Sequence, residues 1–247
     1  MQLPALLEPY RKAIAATVRP HIALDPLPGS VPAPWSSRIG GPPYLPLEAE
    51  YPQGPDGPLY LLAQINFSET PRLDGFPQDG LLQFFIADDD MYGLDLDGQR
   101  KQNGFRVIYL PEVRQHDLVT DFSFLPPTDS LPVHGSYGMR FMKAEAPVSA
   151  ADYRFEQLGL YTDELMEAYY ELCSGDGHRL GGYPGFTQVD PREYRPALRD
   201  YELLLQIDTD DHADIMWGDA GVGNFFIKPA DLARLRFDTV FYNWDCG

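Results

Sequence analysis

With 247 residues, 44% of them apolar, the chain can bury a sizeable core, and 19 Lys and Arg against 37 Asp and Glu give a formal charge of −18. That acidity argues against nucleic acid, whose binding depends on neutralising phosphates, and against anionic membranes as partners. No stretch approaches the run of about 18 apolar residues that spans a bilayer, and residues 1–10 lack the basic segment and apolar run of a secretion signal.

Residues 4–19 predict a helix, with Leu6, Tyr10, Ala13, Ile14, Thr17 and Val18 on one face. Pro20 ends that pattern. His21–Leu24 reads as a short strand, and the four prolines of Asp25–Pro34 as a loop or extended packing segment. Gly40-Gly41 before Pro42-Pro43 marks a tight bend. Strands follow at Leu59–Phe67, Gly80–Ala87 and Phe105–Leu110, the last introduced by an Asn103-Gly104 turn. Glu112–Ala150 is irregular, broken by Pro126-Pro127. Ala151–Gly159 reads as a short helix, and Thr162–Leu172 as a clearer one with Thr162 as N-cap. Tyr201–Ile207 and Asn224–Lys228 predict strands, Pro229–Leu235 a short helix, and Phe237–Trp244 a closing strand. Cys173 and Cys246 form neither a disulfide framework nor a zinc pattern, so a reducing cytosol is the expected compartment.

Three segments recur in the same order. Ser37-Arg-Ile-Gly-Gly-Pro-Pro43 returns as His178-Arg-Leu-Gly-Gly-Tyr-Pro184, Leu61–Ile65 as Leu203–Ile207, and Phe84–Ile86 as Phe225–Ile227, at offsets of 141, 142 and 141 residues. The expected fold is therefore α+β and β-rich: internally duplicated antiparallel sheets sharing one core, with peripheral helices. The chain divides into a first repeat (35–111), a connecting region with helices (112–177) and a second repeat (178–247), within one compact domain. The two central strands should pair or face each other about a pseudo-two-fold axis.

The repeated Arg-x-Gly-Gly-x-Pro, the Leu-Leu-x-Gln-Ile strand, Trp217–Ile227 and the ending Phe237–Asp245 together resemble the YwqG-like family of bacterial proteins, a domain of unknown function. The likeness runs from about Gly40 to Asp245. It implies a β-rich duplicated fold and transfers no substrate or catalytic residue.

The candidate ligand-binding residues follow from the repeats. Arg38 with Gly40 and Gly41, and Arg179 with Gly181 and Gly182, pair a guanidinium with free backbone N–H groups, as an anion site requires. The alternative is that each Arg caps carbonyls or pairs an acid within its own half while the glycines allow the bend. Gln64 and Gln206 are amides inside apolar strands and must be hydrogen-bonded, to the neighbouring bends, to the other half or to a ligand. Trp217, Asp219 and Asn224 belong to a glycine-rich loop preceded by Asp208, Asp210, Asp211, His212 and Asp214. That loop reads either as a solvated acidic turn or as an oxygen-ligand site, although its spacing misses the calcium-loop pattern. Asp88, Asp89, Asp90, Asp95 and Asp97 carry the same two readings. His178 stands where the first repeat has Ser37 and is the best general-base candidate among five histidines without ligand spacing. Ser136 lies in a stretch that fails the nucleophile-elbow pattern because His134 takes the first glycine's place.

No residue is assigned a catalytic role, no cofactor is implied and the metal content is open. The leading expectation is a module binding a small molecule or a protein in a cleft between the repeats. The alternative is a metal-dependent hydrolase using Asp208, Asp210, His212 or Asp219. A third reading is a purely structural partner subunit.

Overall fold

A computed structural model of the chain describes residues 2–96 and 98–247; Asp97, one of the acids named above, lies outside them. Its strands are β1 (Arg19–Leu27), β2 (Arg38–Gly40), β3 (Tyr60–Asn66), β4 (Leu81–Ile86), β5 (Phe105–Leu110), β6 (Ser136–Ala146), β7 (Arg179–Gly181), β8 (Glu202–Asp208), β9 (Val222–Ile227) and β10 (Phe241–Asp245). They form one antiparallel sheet in the order β10-β9-β8-β7-β1-β6-β2-β3-β4-β5. The expected sheets are thus one continuous, nearly closed sheet. Its two ends curl together, so that Phe105 on β5 packs against Tyr242 on β10 with 5.2 Å between ring centroids.

Four strands on each side flank a central pair, β1 and β6, that lies outside the two repeats. β3 and β8 carry the same register shift against their neighbours, at Leu61/Ala63 and at Leu203/Leu205. They do not pair with each other. Instead the halves meet face to face, and Phe84 touches Phe225, its counterpart 141 residues on, at 5.0 Å. These side chains join Ile22, Ile39, Ile65, Leu180, Leu205 and Ile207 in one core. A smaller cluster built on Leu7, Ile14, Val148 and Tyr169 seats the peripheral helices α1 (Arg11–Ala16) and α2 (Asp163–Leu172).

The structure extends the sequence reading of β1 in both directions. Leu24 donates its N–H to the His178 carbonyl, so even-numbered residues of β1 face the β7 side. Pro20 and Pro26 share that parity, and β7 pairs only with residues 21–23. The prolines therefore sit where no ladder bond is made, and the strand tolerates them. β6 occupies the segment read as irregular: Tyr137, Met139 and Phe141 alternate onto the core. The helix expected over 4–19 divides into a 3-10 turn, Ala5–Tyr10, containing Pro9, and α1. The closing strand begins only at Phe241, because Phe237–Thr239 forms a 3-10 turn.

Candidate functional site

Arg38 and Arg179 start β2 and β7, and each is buried within its own half. Arg38 donates to the carbonyls of Pro42 (3.1 Å), Pro32 (3.0 Å) and Ala33. Arg179 donates to Tyr183 (3.4 Å) and Asp176. Three strand spacings separate them, roughly 14 Å across the sheet. The two guanidinium groups do not converge; each gathers the carbonyls of the loops beside its glycine bend.

The amides complete the same arrangement. Gln64 accepts from the Tyr44 N–H at 2.8 Å and donates to the Pro34 and Ser36 carbonyls at 2.8 and 2.7 Å. Gln206 accepts from Gly185 at 2.7 Å and donates to Gly175 and Gly177 at 2.8 and 2.7 Å. Opposite them, Gln83 donates to the Tyr44 carbonyl and Asn224 to the Gly185 carbonyl, each at 2.8 Å. Gln83 also reaches Gln64 at 3.1 Å. Asn224 is one methylene shorter, and its Oδ1 is buried without a partner.

His178 does in the second half what Ser37 does in the first. Ser37 Oγ accepts from the Asn66 N–H and His178 Nδ1 from the Asp208 N–H, at 2.8 and 2.9 Å. With Nδ1 accepting, the proton lies on Nε2, which faces Asp210 Oδ2 at 3.3 Å. Burial pushes the His178 pKa down, against the pull of Asp210 and Asp208. Both ring nitrogens are engaged, so this imidazole is placed as a structural acceptor rather than a general base.

His178 and Arg179 border a depression of about 570 Å³ that includes Asp208, Asp210 and His212. Burial raises the Asp208 pKa, although the Gly177 and Thr209 N–H groups donate to its carboxylate at 2.5 and 2.8 Å. For Asp210 burial is again the largest single effect, but the His212 N–H and His178 outweigh it and the pKa falls. Asp219 is exposed, away from this group. Among the described residues no three His, Cys, Asp or Glu side chains are grouped to hold an ion, so the metal-hydrolase alternative is not favoured. Asp88 and Asp89 accept backbone N–H groups, Asp88 from Asp129 and Ser130, Asp89 from Met91 and Gly93.

Trp217 is fully buried, edge-on to Tyr92 at 5.4 Å and tilted against Trp244 at 6.1 Å. It belongs to the core and presents no face to a cleft.

The two glycine bends differ in what covers them. Gly40, Gly41, Gly181 and Gly182 all have φ between +64° and +73°. A Cβ on Gly40 would meet Val133 Cγ1 at 2.7 Å, and Val133 also bridges to Ile215. The connecting segment thus fills the space beside the first bend. Beside Gly181 only side-chain tips approach, Leu73 Cδ2 at 3.0 Å and Phe76 Cε2 at 3.3 Å from a notional Cβ. There a cleft of about 220 Å³ opens, with Leu73–Phe76 of the first half facing Gly181, Gly182, Ile227 and Leu232 of the second. Arg19 and Glu202 close one side as an ion pair of 2.8 Å, with Arg19 over the Tyr183 ring.

The family described as Domain of unknown function (DUF1963) matches residues 37–246. The chain belongs to that family. No curated protein matches the DUF1963 chain. The family description carries no residue roles, so roles in the DUF1963 chain rest on geometry. Of the expected ligand residues, Gly181 and Gly182 line the cleft between the halves, and His178 and Arg179 border the acidic depression. Leu73, Phe76 and Leu232 carry no motif in the sequence of this DUF1963 member, and Ile227 stands out there only as the end of a repeated strand. Only the chain crossing from one half to the other brings them together.

Proposed function

We propose that the protein is a binding module that admits one apolar group, the side chain of a peptide or a small organic molecule, into the cleft between Leu73–Phe76 and Gly181-Gly182. The observation that carries the reading is the asymmetry of the bends. The same backbone turn is covered by Val133 and the Gly135 carbonyl in one half, but in the other Gly181 meets only the side-chain tips of Leu73 and Phe76, which border a cleft with walls from both halves. A space of about 220 Å³ lined by Leu73, Phe76, Ile227 and Leu232 suits a single aliphatic or aromatic group, and the Arg19–Glu202 pair offers both charges to a polar end. Arg38, Gln64, Arg179, Gln206, Asn224 and Trp217 serve this reading as the frame that fixes the bends, and Asp219 takes no part.

Within the proposal the two halves descend from one duplicated unit and fold as a single domain. The matching bonds of Arg38 and Arg179 and of Gln64 and Gln206 support that descent. The YwqG-like resemblance and a reducing cytosol, where Cys173 and Cys246 stay as free thiols, belong to the same reading.

The test titrates the full chain, labelled for amide NMR, with N-acetyl-leucine amide and N-acetyl-phenylalanine amide. Saturable shifts centred on residues 73–76 and 181–182, lost in Leu232→Trp and kept in Leu232→Ala, are expected. Absence of saturable shifts there with the wild-type chain at millimolar probe sinks the proposal.

A further inference from the structure

A second cavity, of about 500 Å³, lies between the loop around residues 98–101 of the first half and residues 195–201 and 239–241 of the second. Its charged lining, among the described residues, is basic in an acidic chain. Arg100, Lys101 and Arg195 line it, and no Asp or Glu does so among the described residues. Elsewhere the cations are commonly paired with acids: Arg11 with Glu8, Arg154 with Asp152, Arg192 with Asp190 and Lys228 with Asp200. Among the described residues none of the three cavity cations makes such a pair. Of the acids beside the wall, Asp231 is already engaged by Thr239 at 3.1 Å and by Arg236 at 3.5 Å, and the Asp95 carboxylate lies against Gly98.

One of the cations, Arg195, is held by a buried amide. Gln99 donates from Nε2 to Asn243 Oδ1 at 3.0 Å, and its carbonyl accepts from the Tyr242 N–H at 3.1 Å. Its Oε1 accepts from Arg195 Nη1, and Arg195 also lies over the Tyr194 ring. The loop is thereby pinned to β10, and its exposed Arg100 and Lys101 line the same cavity as Arg195. Beneath them Leu198, Tyr201 and Phe241 give an apolar floor.

We propose that this cavity binds a small organic anion, a phosphate monoester or a carboxylate with an apolar or aromatic body. The anionic group would meet Arg100, Lys101 and Arg195, and the body would lie on Leu198 and Tyr201. Guanidinium groups suit planar or tetrahedral oxyanions. The chain's overall negative charge does not cancel this attraction, because at physiological salt charges beyond about 8 Å are largely screened. The same screening, with acids dominating the rest of the surface, disfavours a polyanion such as nucleic acid, which needs a continuous basic track. This site shares no lining residue with the apolar cleft, and either can fail alone.

The experiment titrates the labelled full chain at physiological ionic strength with phenyl phosphate, benzoate and inorganic phosphate. Saturable shifts at residues 98–101 and 195–201 are expected, strongest for phenyl phosphate, with Kd raised at least about tenfold in the Arg100→Gln/Lys101→Gln double variant. Both side chains are exposed, so the variant should fold. The charge-conserving Arg100→Lys/Lys101→Arg chain should retain most of the affinity. Absence of saturation for all three probes, or binding indifferent to the double variant, overturns the proposal. Equal affinity for phenyl phosphate and inorganic phosphate also overturns it, since the apolar floor would then contribute nothing.

Discussion

Replacing Gln206 with Met removes an amide at nearly constant volume and tests whether the fold depends on these internal fasteners. Gln206 is fully buried and satisfies the Gly185 N–H and the Gly175 and Gly177 carbonyls. The bonds to Gly185 and Gly175 are buried; the one to Gly177 lies nearer solvent, where water can replace it. Each buried backbone group left unpaired costs about 1–3 kcal/mol. Two such groups and a partial third give a loss of roughly 3–5 kcal/mol, a large share of the 5–15 kcal/mol typical of a domain. Gln64→Met should lose a similar amount, since it frees the Tyr44 N–H, weakens Gln83 and exposes two carbonyls closer to solvent. Equilibrium urea unfolding, read at an unchanged slope, gives both numbers. A loss below about 1 kcal/mol in either variant would refute the reasoning, because the groups around the bend would then be finding other partners or water.

Two further outcomes follow from buried charge. His21 is buried beside Arg179, and desolvation first, then that cation, lower its pKa to about 4, below the ordinary 6.5. The folded state therefore stays neutral while the unfolded chain takes up a proton. The stability this gives is complete above pH 6.5 and drains away as pH falls toward 4, on the order of 2 kcal/mol after allowing for solvent screening. Urea unfolding at pH 7.5 and 5 should show a loss that is smaller in His21→Gln, where the buried His178 still contributes; an identical loss in that variant contradicts the assignment. Arg192 is fully buried between Asp152 (2.8 Å) and Asp190 (2.6 Å), over the Phe226 ring. Arg192→Met leaves both carboxylates without their shared cation and should cost about 3–5 kcal/mol in the same assay at pH 7; a cost under 1 kcal/mol means that Arg154 and water suffice.

The strands of both halves were legible because each is short, apolar and bounded by turn residues: β3, β4, β5, β8 and β9 lie within about two residues of their expected ends. β6 was harder to see. Its lysine, arginine and glutamate stand beside Tyr137, Met139 and Phe141, and its partner β1 lies over a hundred residues away in the chain. β1 runs past Leu24 into the stretch whose four prolines predict a loop or extended packing segment, because Pro26 falls where the neighbouring strand has already ended. The repeats located the bends and the amides; Arg38 and Arg179 cap carbonyls within their own halves, and Gln64 and Gln206 bond to the loops beside the bends, each one of the readings open from the sequence. The cavity lined by Arg100, Lys101 and Arg195 leaves only a faint trace in the sequence, the Arg100-Lys101 pair in an acidic chain, because Arg195 joins it through the docking of Gln99 on Asn243, 144 residues away.

The middle of the sheet belongs to neither repeat, and β1 even falls outside the 37–246 stretch that matches the family. A polypeptide trimmed to those limits would keep every repeated motif and yet lose the seam. Nine backbone positions of β6 and three of β7 would lose their partner strand, and Ile22 and Leu24 would leave a hole in the core. Such a fragment offers two raw edges for pairing with a neighbour and should aggregate rather than fold. The stretch that matches the family therefore stops short of a strand at the centre of the sheet, and a recombinant piece of this chain is best cut upstream of Arg19.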